Sequence, residues 1–223
     1  MPAPRLELIG IRKAYGPQLI LDGLDLRLEG GEVVAIRGAS GTGKSTLLHI
    51  LGLLDRADGG RYRFGERELH DLPRGERDRL RGRSIGFIFQ GCHLLPEFSL
   101  LENLLLPARC GGLELDPCRE RAEHLLSRVG LPSERTDVRT LSGGEAQRAA
   151  ICRALVAQPQ LILADEPTGS LDPATATVVL QLLLELAQDI GASVVMVTHD
   201  PGVAARAGRQ LELRGGNLHP VAG

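Results

Sequence analysis

Residues 38–45 read Gly-Ala-Ser-Gly-Thr-Gly-Lys-Ser, between the apolar run Val33–Ile36 and the apolar stretch Leu47-Leu48-His49-Ile50-Leu51. That order is buried strand, glycine loop, helix, and it makes the loop a phosphate cradle. Gly38, Gly41 and Gly43 leave positive φ open and carry no Cβ, so backbone N–H groups from Gly38, Ala39, Ser40, Gly41, Thr42 and Gly43 can converge on one anion. The helix that follows, with Thr46 in its first turn, adds unpaired N–H groups and the positive end of its dipole. Lys44 supplies a point charge for the β and γ phosphates, and the Ser45 hydroxyl is placed to ligate Mg²⁺. The plainer reading is a flexible Gly/Ser loop with one solvated lysine, and the strand-and-helix setting speaks against it.

The rest of the chain supplies a sheet for this loop to stand on. Leu161–Ala164 and Val194–Val197 are continuous apolar runs separated by a helix over Ala174–Asp189. Continuous runs suit parallel strands covered on both faces. Each run ends in polar residues, Asp165-Glu166 and Thr198-His199-Asp200, and Val33–Ile36 ends in the glycine loop. Ligands in open parallel sheets sit at the carboxyl ends of the strands, so three segments are expected to meet at one site. Leu6–Ile11 and Leu19–Leu28 alternate and read as antiparallel strands around a Tyr15-Gly16-Pro17 turn. Asp58-Gly59-Gly60 marks a turn, Arg61–Gly65 and Ser84–Phe89 read as strands, and Asp71–Arg83 as a solvated helix. From Gly91 to Val138 the pattern is helical, clearest over Leu100–Leu105 and Arg119–Val129, with Pro107, Gly111 and Pro117 assigned to loops. Leu211–His219 reads as a terminal hairpin. The expected fold class is α/β, with a mostly parallel central sheet, an N-terminal antiparallel β-subdomain and an inserted α-helical subdomain over 91–155. Residues 1–90 and 156–223 form the remainder of a single domain.

Composition bounds the function. The net charge of −2 over 223 residues argues against a dedicated nucleic-acid binder. Lys13 and Lys44 are the only lysines among 26 cationic residues, which reads as a bias of the source and makes Lys44 stand out. Cys92, Cys110, Cys118 and Cys152 have no metal-site spacing, so reduced thiols are expected. Met1–Glu7 lacks the apolar segment of a leader. No window reaches the roughly eighteen uninterrupted apolar residues of a membrane span, so a membrane connection would run through a partner.

The converging residues suit hydrolysis of a nucleoside triphosphate. Asp165 could hold Mg²⁺ opposite Ser45, and Glu166, pointing the other way along the strand, could accept a proton from the attacking water. Gln90 can touch both metal and water without committing charge, and His199 could donate to the γ phosphate. Tyr15 could present its ring to a base. Ser142 and Glu145 have capping-box spacing, but Gly143 and Gly144 are costly inside a helix start unless an anion approaches there.

With Gly38–Ser45, Gln90, Leu141-Ser142-Gly143-Gly144-Glu145, Leu161–Glu166, Ser170-Leu171-Asp172 and His199 in this order, the chain resembles the nucleotide-binding subunits of ATP-binding cassette transporters, a branch of the phosphate-loop NTPases. The resemblance implies ATP and Mg²⁺ as cofactors, adenine stacked on Tyr15, Glu166 as catalytic base, and Gln90 in a loop that senses a membrane partner. It also implies that Ser142, Gly143 and Gly144, with Asp172, meet the nucleotide across a head-to-tail homodimer. Integral membrane permease subunits would dock near residues 90–107, with the chain peripheral on the cytoplasmic face of the inner membrane. Phe89-Gln90, His93–Phe98 and Leu101-Glu102-Asn103 resemble the branch of lipoprotein-releasing and macrolide-export ATPases, near cell-division relatives. Gly91-Cys92 and Ala146 depart from the pattern, the former where the partner would dock. Relatives acting on DNA or the ribosome carry coiled-coil insertions or two cassettes, and neither is seen in these residues.

Overall fold

The computed structural model describes residues 5–221; residues 1–4, the front of the stretch read for a leader, and 222–223 lie outside the described residues. In chain order come β1 (Leu6–Tyr15), β2 (Gln18–Leu28), β3 (Val33–Arg37), α1 (Lys44–Leu51), β4 (Gly59–Phe64), β5 (Arg67–Glu68), α2 (Arg74–Ser84) and β6 (Ile85–Ile88). Then follow α3 (Leu100–Gly111), α4 (Leu115–Arg128), α5 (Gly143–Leu155), β7 (Leu161–Asp165), α6 (Pro173–Asp189) and β8 (Ser193–Val197). The short α7 (Pro201–Ala204), β9 (Arg209–Arg214) and β10 (Asn217–Pro220) close the chain.

The apolar runs form the middle of a six-stranded sheet in the order β10-β9-β3-β8-β7-β6. Strands β9, β3, β8, β7 and β6 are parallel, and β10 pairs antiparallel with β9. A second sheet, β2-β1-β4-β5, is antiparallel. The runs are continuous because alternate residues serve different cores. Ile162, Ala164, Val194 and Met196 pack with α3, α4, α5 and α6, whereas Leu161, Leu163, Val195 and Val197 pack with α1 and the antiparallel sheet. Helix α1 buries Leu47, Leu48, Ile50 and Leu51, so the phosphate loop leads into an element held between two sheets.

Several sequence expectations need correction. Pro107 and Gly111 lie in α3, and Pro117 in the first turn of α4, not in loops. The Leu100, Leu104, Leu105 and Ala108 face of α3 is fully buried, and that packing outweighs the helix bond a proline removes. Pro117 falls where a helix N–H has no intrahelical partner in any case. Gly59 and Gly60 begin β4 instead of forming a turn, opposite the register shift between Ile9 and Arg12. The C-terminal hairpin is also more than a hairpin, since β9 joins the central sheet beside β3.

Helices α2 and α3 touch backbone to backbone at Gly82 and Gly111. A Cβ on Gly82 would stand 2.5 Å from the Gly111 nitrogen and 2.6 Å from its Cα. The substitution Gly82→Ala is therefore expected to cost about 1–3 kcal/mol through overpacking. Urea unfolding should show a lower midpoint with an unchanged slope, and an unchanged midpoint would show that the two helices separate freely.

Candidate functional site

The loop between β3 and α1 has the geometry the glycines suggest. Gly41 and Gly43 take left-handed backbone, at φ 78° and 100°. Gly43 is the N-cap of α1, makes no side-chain cap, and is followed by a first turn without acidic residues. Its helix start therefore offers N–H donors and an uncompensated dipole to an anion. Thr42 closes the loop on the Ala39 carbonyl, and the Lys44 ammonium folds over it to donate to the carbonyls of Gly38 (2.9 Å) and Ala39 (2.8 Å).

Above the loop opens a cleft of about 760 Å³ lined by Tyr15, Ile20, loop residues from Gly38 to Thr46, Gln90, Asp165, Glu166 and His199. The ends of β3, β6, β7 and β8 thus meet at one place, with Tyr15 from the end of β1 at the rim. Ser45 Oγ donates to Asp165 Oδ2 at 3.1 Å across the cleft floor. A hydroxyl facing one carboxylate, with the Gln90 amide on the same cleft, fits Mg²⁺, which takes few protein ligands and completes its shell with phosphate oxygens and water.

Glu166 reaches its place differently from the strand alternation expected. Asp165 is the last residue of β7, and Glu166 has already turned into left-handed backbone at φ 47°. For a residue with a Cβ that conformation costs roughly 1–3 kcal/mol and persists only when neighbours enforce it. Its N–H donates to the Val197 carbonyl at 2.9 Å. Its carboxylate accepts from the Thr198 hydroxyl (3.1 Å) and the His199 N–H (2.9 Å), and lies 2.6 Å from His199 Nδ1. Nε2 is then the ring nitrogen left to His199 for the cleft.

Ser142, Gly143, Gly144 and Asp172 are not brought to this cleft. They line a separate depression of about 380 Å³ with Arg148, Ser170 and Thr175. Ser142 and Glu145 form the expected capping box. Gly144 also has a packing reason, since a Cβ there would stand 2.8 Å from Thr175 Cγ2. The Asp172 carboxylate caps α6 by accepting from the N–H groups of Ala174 and Thr175, both at 3.1 Å. Hydrogen bonds from the Thr175 side chain and backbone hold its carboxyl below the usual range.

The sequence reading missed the residues that tie these parts together. Gln147, 1% exposed, donates to the Pro167 carbonyl (2.6 Å) and the Phe89 carbonyl (3.5 Å), and its oxygen accepts from the Cys92 thiol (2.9 Å). One amide on the helix that starts at Ser142 therefore touches both flanks of Gln90 and the residue after Glu166. Arg153 donates to the Cys92 and His93 carbonyls, and Asn103 to the carbonyls of Leu95, Phe98 and Ser99. The available signal was a glutamine on the stripe otherwise made by Ala150, Ile151 and Ala154. Lys13, given no role by the sequence reading, lies on the core-facing side of β1 with Leu6, Leu8 and Ile11. Among the described residues no helix is long and apolar enough to cross a membrane.

Known proteins similar to this chain are numerous. The profile of the family described as "ABC transporter" matches residues 21–169. The lipoprotein-releasing system ATP-binding protein LolD of Roseobacter denitrificans is 46% identical over 99% of this chain and 100% of its own length. The LolD of Nitratidesulfovibrio vulgaris is 48% identical over 97% of this chain and 95% of its own. The macrolide export ATP-binding/permease protein MacB of Syntrophobacter fumaroxidans is 44% identical over 98% of this chain, which spans 32% of that protein. Among solved structures, the dimeric post-hydrolysis state of the ATP-binding cassette MJ0796 bound to ADP and Pi superimposes with a TM-score of 0.85, at 36% identity over 98% of this chain and 99% of that one.

Replacing Gln147 by Leu keeps the bulk but leaves the buried Pro167 carbonyl without its donor. A loss of about 1–3 kcal/mol in unfolding free energy is expected. ATP turnover should fall more than ATP affinity, because the disturbed backbone adjoins Glu166 and Gln90 and not the phosphate loop. Parallel calorimetric binding and phosphate-release assays measure the two, and an equal fall in both would place Gln147 with the cradle.

Proposed function

Since this chain belongs to the ABC transporter family, we propose that it is the ATP-hydrolysing subunit of a lipoprotein-releasing transporter, working as a head-to-tail homodimer with Mg-ATP at each interface. The observation that carries the proposal is the division of the site. The cleft holds the phosphate loop, Asp165, Glu166 and His199, while the second glycine-lined helix start, at Ser142–Gly144, opens onto a different depression of the same chain. Two copies placed face to face supply both halves to each γ phosphate, and the dimeric MJ0796 structures provide a precedent for a related cassette.

Within that site the Gly38–Thr46 loop binds the triphosphate and Lys44 neutralises its terminal charge. Ser45 and Asp165 would hold Mg²⁺ with help from Gln90, and the metal would offset charge on the β and γ oxygens. Glu166, steadied by Thr198 and His199, takes the proton of the attacking water, and His199 faces the γ phosphate. Ser142, Gly143 and Gly144 of the second copy close over the same phosphate, with Asp172 holding the adjoining helix start. Binding of ATP would close the dimer and hydrolysis reopen it.

Residues 91–155 act as the helical subdomain that meets the permease, whose contact lies near residues 90–107. Leu95 is exposed there, and the backbone around it is held by Arg153 and Asn103. The chain then works peripherally on the cytoplasmic face of the inner membrane. Export of a macrolide-like cargo is the second reading, favoured by the similarity to the cassette portion of MacB.

Glu166→Gln keeps shape and removes the base. Turnover is expected to fall by at least about a hundredfold, with ATP binding retained and a dimer trapped by Mg-ATP in light scattering. A variant that stays monomeric with bound ATP would remove the shared-site mechanism. Lys44→Ala should weaken ATP binding itself. The membrane proteins that co-purify with the chain, identified by mass spectrometry, decide between lipoprotein release and export.

A further inference from the structure

The cradle accounts for one lysine, and the other stands behind the base end of the cleft. Lys13 occupies a core-facing position of β1 and its side chain is 9% exposed. Its ammonium donates to Asp55 Oδ1 (3.0 Å) and to the Arg56 carbonyl (2.7 Å), lies 3.6 Å from Asp58, and stands 5.0 Å from the centroid of the Tyr15 ring, over its face. The other Asp55 oxygen accepts the Tyr15 hydroxyl at 2.7 Å. One carboxylate therefore holds both the tip of the ring and the cation behind it.

Asp55 is itself fixed. Leu53 turns out of α1 in left-handed backbone at φ 58°, the Leu54 and Asp55 N–H groups both donate to the His49 carbonyl, and Arg77 donates to the Leu53 and Asp55 carbonyls. The phosphate loop stands at the front of α1 and Asp55 just beyond its other end, so a short rigid helix links the two. A tyrosine ring that is half exposed would otherwise turn about two side-chain bonds, and ordering it on ligand binding costs free energy.

We propose that Asp55, braced by Lys13, is a positioning residue that holds the Tyr15 ring against the cleft in advance of nucleotide, and thereby sets affinity for the base end of the ligand and not for its phosphates. This rests on the reading that Tyr15 stacks the base. A compact ammonium suits the place behind the ring, because it reaches a carboxylate, a carbonyl and a second acid from one point, where a planar guanidinium would need a wider seat. The hydrogen bond from Tyr15 to Asp55, with burial, raises the phenol's pKa, while the Thr46 hydroxyl and Lys13 pull the other way.

Two ligands separate the effects: ATP, and inorganic tripolyphosphate, which has no base. Asp55→Asn should weaken ATP about three- to tenfold, the size of a lost aromatic contact, and leave tripolyphosphate unchanged. Tyr15→Phe, which deletes only the hydroxyl, should give a similar loss, and the double variant should be no worse than either single one. The chain has two tyrosines and no tryptophan, and burial raises the Tyr62 phenol much further, so the first phenolate absorbance step on raising pH reports Tyr15. That step should move to lower pH in Asp55→Asn. Equal weakening of ATP and tripolyphosphate would assign Asp55 to the cradle and overturn the inference. So would normal ATP affinity in both Asp55→Asn and Tyr15→Phe while Tyr15→Ala binds poorly, an outcome that leaves base stacking intact. Normal affinity in Tyr15→Ala would instead remove the stacking reading itself.

Discussion

The structure depends on a concentration of unpaired positive potential at the start of α1. Backbone N–H groups from a glycine loop and a helix dipole are aimed at one point beside the Lys44 ammonium, which rests on the loop's own carbonyls, with no acid in the first turn to answer them. Such an array is unfavourable unless it is rigid and serves an anion. Its rigidity comes from placing α1 between two sheets, with Leu47, Leu48, Ile50 and Leu51 all buried. The antiparallel sheet, otherwise an awkward addition to a parallel core, is what covers the outer face of that helix. It also carries Tyr15 to the rim of the cleft, with Lys13 behind the ring.

What the sequence made legible follows from the same constraint. The loop, the two apolar runs and their polar ends could be read because parallel strands between two cores need no alternation, and because glycines at fixed spacing have few other uses. The helix through Pro107 was hidden because a proline breaks local propensity, while the burial of Leu100, Leu104 and Leu105 that rescues it is tertiary. Pro167 signals that the chain turns after Glu166, but the left-handed backbone of Glu166 itself was hidden for a related reason. No residue type announces left-handed backbone on a glutamate, and only the Val197 carbonyl, Thr198 and His199 enforce it. Lys13 and Gln147 left faint signals, a cation and an amide at apolar positions of a strand and a helix. Their partners lie 42 and 20 residues away in sequence and could not be paired by inspection.

Backbone strain marks where the chain gives up local comfort for placement. Left-handed residues with side chains include Leu53, which sets up Asp55, His93, beside the Gln90 segment, and Glu166. Each of these three lies one to three residues from a group that lines the cleft or holds a side chain that does, whereas the fourth, Gln158, has no place in that cleft. Strain of this kind survives only where hydrogen bonds over-determine it, and here the clamps are identifiable: Arg77 on Leu53, Arg153 on His93, Thr198 and His199 on Glu166. Stability and function therefore share residues, and substitutions at the clamps will act on the site without touching the ligand.

The helix that starts at Ser142 joins these devices. Its first turn presents a second set of N–H groups in a depression separate from its own cleft, and five residues after Ser142 its Gln147 amide reaches the carbonyls of Phe89 and Pro167. A rigid helix cannot shift at one end alone. If a second copy's γ phosphate draws Ser142 inward, the displacement reaches Gln147 and acts on the backbone beside both Gln90 and Glu166. Under the proposed dimer, occupancy of one cleft would be tied to the Glu166 and Gln90 segments of the opposite chain by one buried amide, whose neutrality matters. It both donates, to the Pro167 and Phe89 carbonyls, and accepts, from the Cys92 thiol, with no charge to bury, so the link between the two segments carries little electrostatic cost.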